Sequence, residues 1–469
     1  MSVTALRHPG TQARHAALRA VVAPWPLAAA LFAVYACWSI HRHLRLRTSG
    51  YDLGIFEQAV RGYAHLGAPE ATIKGPGFNL LGDHFHPILI LLAPVYRLFP
   101  GPITLLVAQA ALIAVSSIPI TRLATRVAGP GAGPGAGASA AVAYGTSWGL
   151  QATVDFDFHE VAFAVPLLAF GLTALVERRW TAAAAWTLPL IAVKEDLPAT
   201  VAVIGLLVAV RGRTRLGVAM IVTAIGAGAV IVGVVLPALN PAHVYLYAAS
   251  AAPDGQDVLH RLFLPAGKFR TLLWLLAPTL SLAVRSPLLL VALPTLAWRF
   301  WSTNHLYWGT GFQYSAVLMP IVFVAFLDTL ATRATARRAR VALHTACALA
   351  LAATMLKPMP FRGFTEPGDW TPDAQSEQVR AALTRIPDGA RVAADNRLAP
   401  HLTSRCTVYI FPTYPRATVR PEWIALSTPP DTSIASRPTM NAALARLPAS
   451  GYRLTLRTGD LLIYRSAAG

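Results

Sequence analysis

Charged residues are scarce in this sequence of 469 residues: Asp, Glu, Lys and Arg together make up 13% of it. Soluble domains carry about 25% charged residues, so the composition argues against an ordinary soluble enzyme and against a disordered chain. Cysteine is scarce as well, and three cysteines are too few for a disulfide framework. Hydrophobic residues make up 55% of the chain instead, which predicts a multi-span membrane protein.

Familiar nucleotide and hydrolase motifs are also missing. The sequence has no Walker motif, GxGxxG fingerprint, HExxH helix or GxSxG elbow, so nucleotide-driven transport and the common hydrolase sites gain no support. Acidic residues are fewer than basic ones, and the formal net charge is +18. The basic residues lie in short clusters between apolar runs, which is typical of membrane anchors and argues against a nucleic-acid partner.

Apolar runs divide residues 21–357 into candidate spans. The first run, residues 21–40, has no small-residue cleavage site after it and is predicted to be a retained span rather than a signal peptide. The run at 87–99 is predicted to be a helix lying at the membrane interface. Leaving that helix out gives eleven predicted spans. The other runs are 102–121, 135–153, 160–176, 180–193, 197–210, 216–239, 271–284, 286–298, 313–331 and 341–356.

Arginine clusters set the predicted orientation of these spans. Most clusters fall in alternate loops on the same side as the basic N-terminal segment 1–20, which is therefore predicted to be cytoplasmic. One cluster disagrees, because Arg42, Arg45 and Arg47 would lie outside. With an odd number of spans, the large first loop (41–101) and the chain after the last span are predicted to be extracytoplasmic.

The chain changes character at residue 358. Residues 358–469 are more polar, and the pattern predicts a small extracytoplasmic α/β domain with helices near 374–386 and 439–447. Short β-rich runs predict five strands, at Arg391–Ala394, Thr407–Phe411, Trp423–Leu426, Arg453–Leu456 and Leu461–Tyr464.

Polar motifs gather at the predicted outward ends of the spans, where ionisable groups are costly and indicate function. In the first loop, residues 51–58 (YDLGIFEQ) predict an amphipathic helix that starts at Asp52 and turns Glu57 and Arg61 toward water. Asp52 is the N-cap of this helix, since Asp accepts hydrogen bonds from free backbone N–H groups, or a catalytic carboxylate, and capping would not exclude catalysis.

Residues 83–87 (DHFHP) form a second motif in the same loop. His84 and His86 face one side only if the backbone is extended, and Pro87 favours an extended His86. The two histidines either hold a metal ion or are ordinary hydrogen-bonded histidines.

The second outward loop reads DFDFHE at residues 155–160. Strict alternation predicts Asp155, Asp157 and His159 on one side and both phenylalanines on the other. We interpret the polar side as facing a cavity that Asp83 and His84 also reach. The alternative is a loop that its aromatic residues anchor at the interface.

Two further outward segments carry candidate binding groups. Lys194, which opens the run KED at 194–196, suits a lipid phosphate, although the run could also be an internally neutralised turn. Arg299 and Tyr314 bound a segment rich in aromatics, which is either an interfacial belt or a wall that stacks on a sugar or isoprenoid.

These motifs together resemble the bacterial membrane family called domain of unknown function 2079 (DUF2079), over most of residues 45–469. That family is similar to the GT-C glycosyltransferases, which include protein mannosyltransferases and aminoarabinose transferases. The resemblance implies a GT-C-like helical fold in the plasma membrane and a polyprenyl-phosphate sugar donor. It implies no definite cofactor, and a divalent metal at the Asp/His cluster stays open.

The resemblance also implies roles for individual residues. Asp52 takes the place of the acidic base just after the first span, Asp157 that of the second-loop acid, and Lys194 that of a lysine near the lipid phosphate. Where those transferases usually have two adjacent acidic residues, this sequence has Tyr51-Asp52. His84 and His159 have no clear counterpart in the mannosyltransferases. The predicted catalytic residues are Asp52, Asp83 and Asp157, and the predicted substrate-binding residues are Glu57, Gln58, His84, His86, His159, Glu160, Lys194, Arg299 and Tyr314.

The predicted function is therefore transfer of a sugar from a polyprenyl-phosphate donor to an extracytoplasmic acceptor, with inversion. The competing interpretation is a non-enzymatic transporter, lipid-binding protein or scaffold. A transporter would carry charges midway along its spans or show inverted repeats, whereas the charges here lie mainly at span ends and no convincing repeat is visible.

Overall fold

The computed structural model describes residues 24–129, 135–247, 258–356 and 359–467, and the predicted N-terminal segment 1–20 lies outside these ranges. Within them the chain is helical as far as residue 354, and a five-stranded sheet follows. The predicted outline of an apolar helical region followed by a small α/β region is confirmed.

Apolar composition is what defines the helical region. By length and composition, three described helices could cross a membrane: Pro102–Ala128, Thr214–Leu239 and Gln313–Arg333. The number of eleven spans stays a prediction. Shorter apolar helices are Pro87–Leu98, Glu160–Val176, Trp180–Ala192, Leu197–Val210 and Pro287–Trp301. The α-helices have the bounds Pro24–Leu44, Ile55–Ala64, Ala93–Leu98, Pro102–Ala128, Gly135–Gly145, Trp148–Asp155, Ala164–Val176, Trp180–Thr187, Leu197–Val210, Thr214–Val230, Leu236–Leu239, Val258–Phe263, Gly267–Leu276, Leu293–Trp301, Leu318–Arg333, Ala336–Thr354, Ala374–Leu383 and Arg437–Ala445.

Two apolar runs that the sequence predicts as continuous are interrupted. The run 135–153 breaks at Ser147, whose backbone is extended (φ −62°, ψ 140°). The run 271–284 breaks after Pro278, where Leu280 and Ser281 adopt left-handed conformations. Proline lacks the N–H that would continue a helical ladder, which explains the second break. Hydrophobicity alone marks neither break and so overestimates the length of these helices.

The C-terminal sheet contains the five predicted strands: β1 (Arg391–Ala394), β2 (Thr407–Ile410), β3 (Trp423–Ser427), β4 (Tyr452–Thr458) and β5 (Leu461–Ser466). Their order is β2-β1-β3-β5-β4. β1 is parallel to β2 and β3, and β5 is antiparallel to β3 and β4. The strand β1 lies between β2 and β3 and is mostly buried, which explains why its sequence is apolar after the first residue.

The helix Ile55–Ala64 is amphipathic, but the prediction that its polar face meets water is wrong. Arg61 Nη1 donates to the carbonyls of Thr403 (2.9 Å) and Cys406 (3.0 Å) in the C-terminal region. Glu57 is fully buried, and its carboxylate accepts a 2.5 Å hydrogen bond from the Tyr96 hydroxyl. The reason is that the C-terminal sheet and the helix Ala93–Leu98 cover this face.

The start of the same loop is tied to the end of β1. The Gly50 N–H donates to the Asn396 carbonyl (2.7 Å), and the Tyr51 N–H donates to Asn396 Oδ1 (2.9 Å). The carboxyl end of a parallel strand therefore fixes the backbone next to Asp52.

Gly82 positions the second part of the loop against the apolar helix Thr214–Leu239. A Cβ at residue 82 would lie 2.5 Å from the carbonyl carbon and oxygen of Leu239. We expect Gly82→Ala to lower the midpoint of thermal unfolding in detergent, because overpacking costs about 1–3 kcal/mol. Gly226→Ala is the control, since a Cβ there meets no atom within 4 Å. An unchanged midpoint for Gly82→Ala would contradict this close approach.

Candidate functional site

A cavity of about 720 Å³ opens between the first loop (41–101), the DFDFHE loop (155–160) and the segments that contain Lys194 and Tyr314. Of the predicted site residues, Asp52, Asp83, His84, His159, Glu160 and Lys194 line it, and Tyr314 contributes an aromatic ring. The structure thus brings four separate sequence motifs to one space.

Asp52 lies in the cavity wall with both carboxylate oxygens engaged. Oδ2 accepts a 2.7 Å hydrogen bond from the Ser49 hydroxyl, and Oδ1 is 3.3 Å from His159 Nε2. The helical backbone begins at Gly50 with a π-helical turn, so Ser49 rather than Asp52 occupies the N-cap position. The alternative that Asp52 is the helix cap is therefore wrong, and its carboxylate is available to the cavity.

Asp157 lies behind Asp52 and does not line the cavity. Its Oδ2 accepts from the Ser49 N–H at 2.7 Å and is 2.9 Å from the Ser49 hydroxyl oxygen. Burial, with a further contribution from the nearby Asp52, raises the pKa of Asp157 to about 7. Asp157 is thus a neighbour of Asp52 rather than a second carboxylate facing a ligand.

The strict alternation predicted for the second outward loop is wrong. Asp157 has a left-handed backbone (φ 51°), which breaks the extended conformation that alternation needs. Phe156 stacks on His159, with 5.2 Å between ring centroids, instead of lying on the opposite side. Asp155 turns away and accepts hydrogen bonds from Arg42 (2.8 Å) and from the Trp38 indole (2.9 Å).

Two lysine–carboxylate pairs bring ammonium groups to the cavity. Lys74 Nζ is 2.7 Å from Asp83 Oδ2, and Lys194 Nζ is 2.8 Å from Glu160 Oε1. Burial lowers the pKa of Lys194, but the carboxylates around it outweigh burial and hold that pKa well above its ordinary value. Burial raises the pKa of Asp83, but His84 and Lys74 outweigh it and lower that pKa. Lys194 is therefore a cation at neutral pH.

His84 and His86 do not form a metal pair. His84 Nδ1 is 2.6 Å from Glu195 Oε1, and this carboxylate overcomes the effect of burial and raises the pKa of His84. His86 is buried away from the cavity, edge-on to Phe56, and burial lowers its pKa to about 4. Across the described ranges, no group of three or more His, Cys, Asp or Glu side chains is arranged to hold a metal ion.

Three other predicted binding residues lie outside the cavity. Glu57 is enclosed beside Tyr96, and Gln58 donates to Thr72 Oγ1 at 2.9 Å and to the Val408 carbonyl at 3.3 Å. Arg299 is fully buried and ties down the segment that follows it: Nε donates to the Tyr307 carbonyl (2.8 Å) and Nη2 to the Gly309 carbonyl (2.9 Å). Arg299 therefore supports the aromatic wall from behind and does not contact a ligand in the cavity.

That aromatic wall consists of Trp298, Tyr307 and Tyr314, whose rings meet edge to face. Tyr247 also lines the cavity and stacks on His84, with 4.5 Å between ring centroids. Aromatic faces beside carboxylates suit a sugar, which presents both C–H faces and hydroxyl groups.

The sequence analysis missed several lining residues, above all Lys74 and Tyr247. Lysine is rare in this chain, which has four lysines against 36 arginines, and this rarity singles out Lys74. Asp196 belongs to the KED motif in which Lys194 is the predicted binding residue. It accepts a 2.8 Å hydrogen bond from the Trp298 indole, and burial raises its pKa to about 6. Tyr247 follows a helix in a short polar stretch, where no sequence pattern marks it.

Comparisons with known proteins agree with this fold. A family model described as "Predicted membrane protein (DUF2079)" matches residues 42–462. Among solved structures, the chain is similar to ArnT from Cupriavidus metallidurans bound to undecaprenyl phosphate, with a TM-score of 0.55 and 14% sequence identity. The match covers 94% of this chain and 98% of that one. A search of curated proteins finds no match. The likeness shows an ArnT-like fold.

Proposed function

This chain belongs to the DUF2079 family of predicted membrane proteins, and we propose that it transfers a sugar from a polyprenyl-phosphate donor to an acceptor hydroxyl. One observation carries the proposal: in an ArnT-like fold, a single cavity holds the Asp52 carboxylate, the Lys74 and Lys194 ammonium groups and an aromatic wall. The ArnT structure is bound to undecaprenyl phosphate, which makes the same class of lipid the first candidate to carry the sugar here.

Asp52 is the base in this proposal. Among the three candidate carboxylates, Asp83 is paired with Lys74 and Asp157 lies behind the wall, whereas Asp52 lines the cavity with 26% of its side chain exposed. Asp52 would take the proton of the acceptor hydroxyl while that oxygen attacks the anomeric carbon. The bond from the anomeric carbon to the lipid phosphate oxygen breaks, its electron pair leaves with the phosphate, and the configuration inverts.

Lys74 and Lys194 are the proposed ligands of the phosphate. Each ammonium has three N–H donors, so a bond to Asp83 or Glu160 leaves others for phosphate oxygens. Cations at this position stabilise the negative charge that develops on the leaving group. The wall around Trp298 would hold the sugar or the first isoprenoid unit, and membrane lipid would surround the apolar helices.

The activity test is a transfer assay with the purified full-length protein in liposomes. We expect it to release polyprenyl phosphate from one member of a panel of undecaprenyl-phosphate sugars when acceptor lipids or glycans are supplied. Movement of the intact lipid across the bilayer without cleavage would instead identify a transporter. Binding without cleavage for every donor and acceptor would favour a lipid-binding or scaffold role.

Topology is part of the proposal, because a polyprenyl-linked donor of this kind would be used outside the cell. We propose that segment 1–20 is cytoplasmic and that the first loop (41–101) and the domain 358–469 are extracytoplasmic. A reporter that works only in the cytoplasm is expected to be inactive when fused after Gly469. An active reporter would contradict the orientation and place the cavity on the wrong side.

A further inference from the structure

Ser49 stands between two carboxyl groups. Its hydroxyl oxygen is 2.7 Å from Asp52 Oδ2 and 2.9 Å from Asp157 Oδ2. A serine hydroxyl carries one hydrogen, so it can donate to one of these oxygens at a time. Both contacts are hydrogen bonds only when one carboxyl group is protonated and donates to the serine oxygen.

The surroundings select Asp157 as the protonated partner. Asp157 is 3% exposed, and its Oδ1 is buried without a hydrogen-bond partner among the described residues. Asp52 reaches the cavity, where water or substrate can solvate its charge. Two negative charges this close strongly disfavour each other.

The other charged groups nearby leave this assignment in place. Arg42, from the helix Pro24–Leu44, attracts a negative charge on Asp157 but already forms a 2.8 Å ion pair with Asp155. His159 is 3.3 Å from Asp52 Oδ1 and so favours charge on Asp52 rather than on Asp157. Gln109, from the helix Pro102–Ala128, is neutral and donates to the backbone carbonyl of Asp157.

We propose that Asp52, Ser49 and Asp157 form a carboxylate–hydroxyl–carboxyl chain that holds one shared proton, with Asp157 as the proton-bearing member. In this state the Asp157 hydroxyl donates to Ser49, and Ser49 donates to Asp52 Oδ2. Asp157 is thus a positioning residue: it fixes which way the Ser49 hydroxyl points and keeps Asp52 as the sole ionised carboxylate of the pair.

The consequence for catalysis rests on the proposed function. If Asp52 is the base, sugar transfer is fastest while the shared proton is present. As pH rises through about 7, the pair loses that proton. The two carboxylates then repel each other, and the Ser49 hydroxyl can donate a hydrogen bond to only one of them. The rate is therefore expected to fall as pH rises through this range, and the apparent pKa belongs to the pair rather than to either residue.

Infrared spectroscopy of the purified protein tests the shared proton without any assay of transfer. Spectra recorded from about pH 5 to about pH 9 cover the titration of a raised carboxyl group. The difference spectrum between wild type and Asp157→Asn is expected to contain a carboxylic-acid C=O band that disappears near neutral pH. Glu57→Gln is the matched control, because burial also raises the pKa of Glu57 to about 7, and its loss must leave the Asp157 band in place.

Two further variants keep the proposal open to contradiction. Ser49→Ala is expected to shift the frequency of the Asp157 band, because the carboxyl group loses its hydrogen-bond acceptor. If Asp157→Asn does not fold, this shift still tests the shared proton. In transfer assays, Asp157→Asn keeps a neutral polar side chain that can hydrogen-bond to Ser49, whereas Asp157→Ala cannot, so Asp157→Ala should be about tenfold slower than Asp157→Asn, as for the loss of one hydrogen bond. Asp157→Asn should also lose the alkaline fall in rate.

The outcomes separate the two proposals. Identical carboxylic-acid regions in wild type and Asp157→Asn at every pH, or a band that Ser49→Ala does not shift, would overturn the shared proton. A band that behaves as expected in a protein that cleaves no polyprenyl-phosphate sugar would support the shared proton and overturn only the proposed function.

Discussion

Replacing Asp52 by Asn is expected to lower sugar transfer by about 10²–10⁴-fold, the usual effect of removing a general base. Asparagine has nearly the same size, and its side-chain oxygen can still accept the hydrogen bond from Ser49. Because Asp52 is not the helix cap, the substitution should leave the fold intact. Release of polyprenyl phosphate, measured beside thermal unfolding, separates the loss of chemistry from the loss of protein.

Asp155→Asn is the matched control for this variant. Asp155 lies in the loop that also carries Asp157 and His159, but it pairs with Arg42 and Trp38 away from the cavity. We expect a modest change in stability and little change in transfer. Full transfer by Asp52→Asn, together with loss of folded protein in Asp52→Ala, would make Asp52 a structural residue and move the search for the base to Asp83.

Removing the Lys194 ammonium is expected to affect both stability and transfer. Glu160 is 2% exposed at its side chain, and in Lys194→Met its carboxylate would lose its ion-pair partner. Breaking a buried ion pair in this way costs about 3–5 kcal/mol. The double variant Lys194→Met/Glu160→Met removes both charges and should recover most of this stability, because an apolar pair of similar size replaces the ion pair.

Transfer should not recover with stability in the double variant. If Lys194 binds the lipid phosphate, the double variant folds but still lacks one of the two ammonium groups proposed for the leaving group. The measurements are unfolding in detergent and release of polyprenyl phosphate for Lys194→Met, for Glu160→Met and for the double variant. A double variant that regains stability and transfer together would show that Lys194 serves the fold alone.

Local pattern was enough to predict the regular elements. The β-rich runs at Arg391–Ala394 and Trp423–Leu426 correspond to β1 and β3, and the apolar runs at 160–176 and 197–210 correspond to apolar helices with the same bounds. These elements follow from hydrophobic periods that each segment carries in its own sequence. The predicted runs at 135–153 and 271–284 are longer than the observed helices, because one or two residues with non-helical backbone interrupt each run.

Contacts between segments that are distant in sequence could not be predicted from local sequence patterns. Asn396 holds Tyr51 across 345 positions in sequence, and no pattern near either residue marks the pair. For the same reason Glu57 and Arg299 were expected to meet substrate although they are buried. A polar residue in an apolar stretch signals that it needs a partner, but not whether that partner is a ligand or another part of the chain.

The most direct test of the proposed transfer is a structure of this protein with undecaprenyl phosphate added. We expect phosphate density inside the cavity, within about 3 Å of the Lys74 or Lys194 ammonium, with a free phosphate oxygen, to which the sugar of the donor would be attached, turned toward Asp52. Phosphate density outside the cavity, or a phosphate whose free oxygens all point away from Asp52, would contradict the proposal.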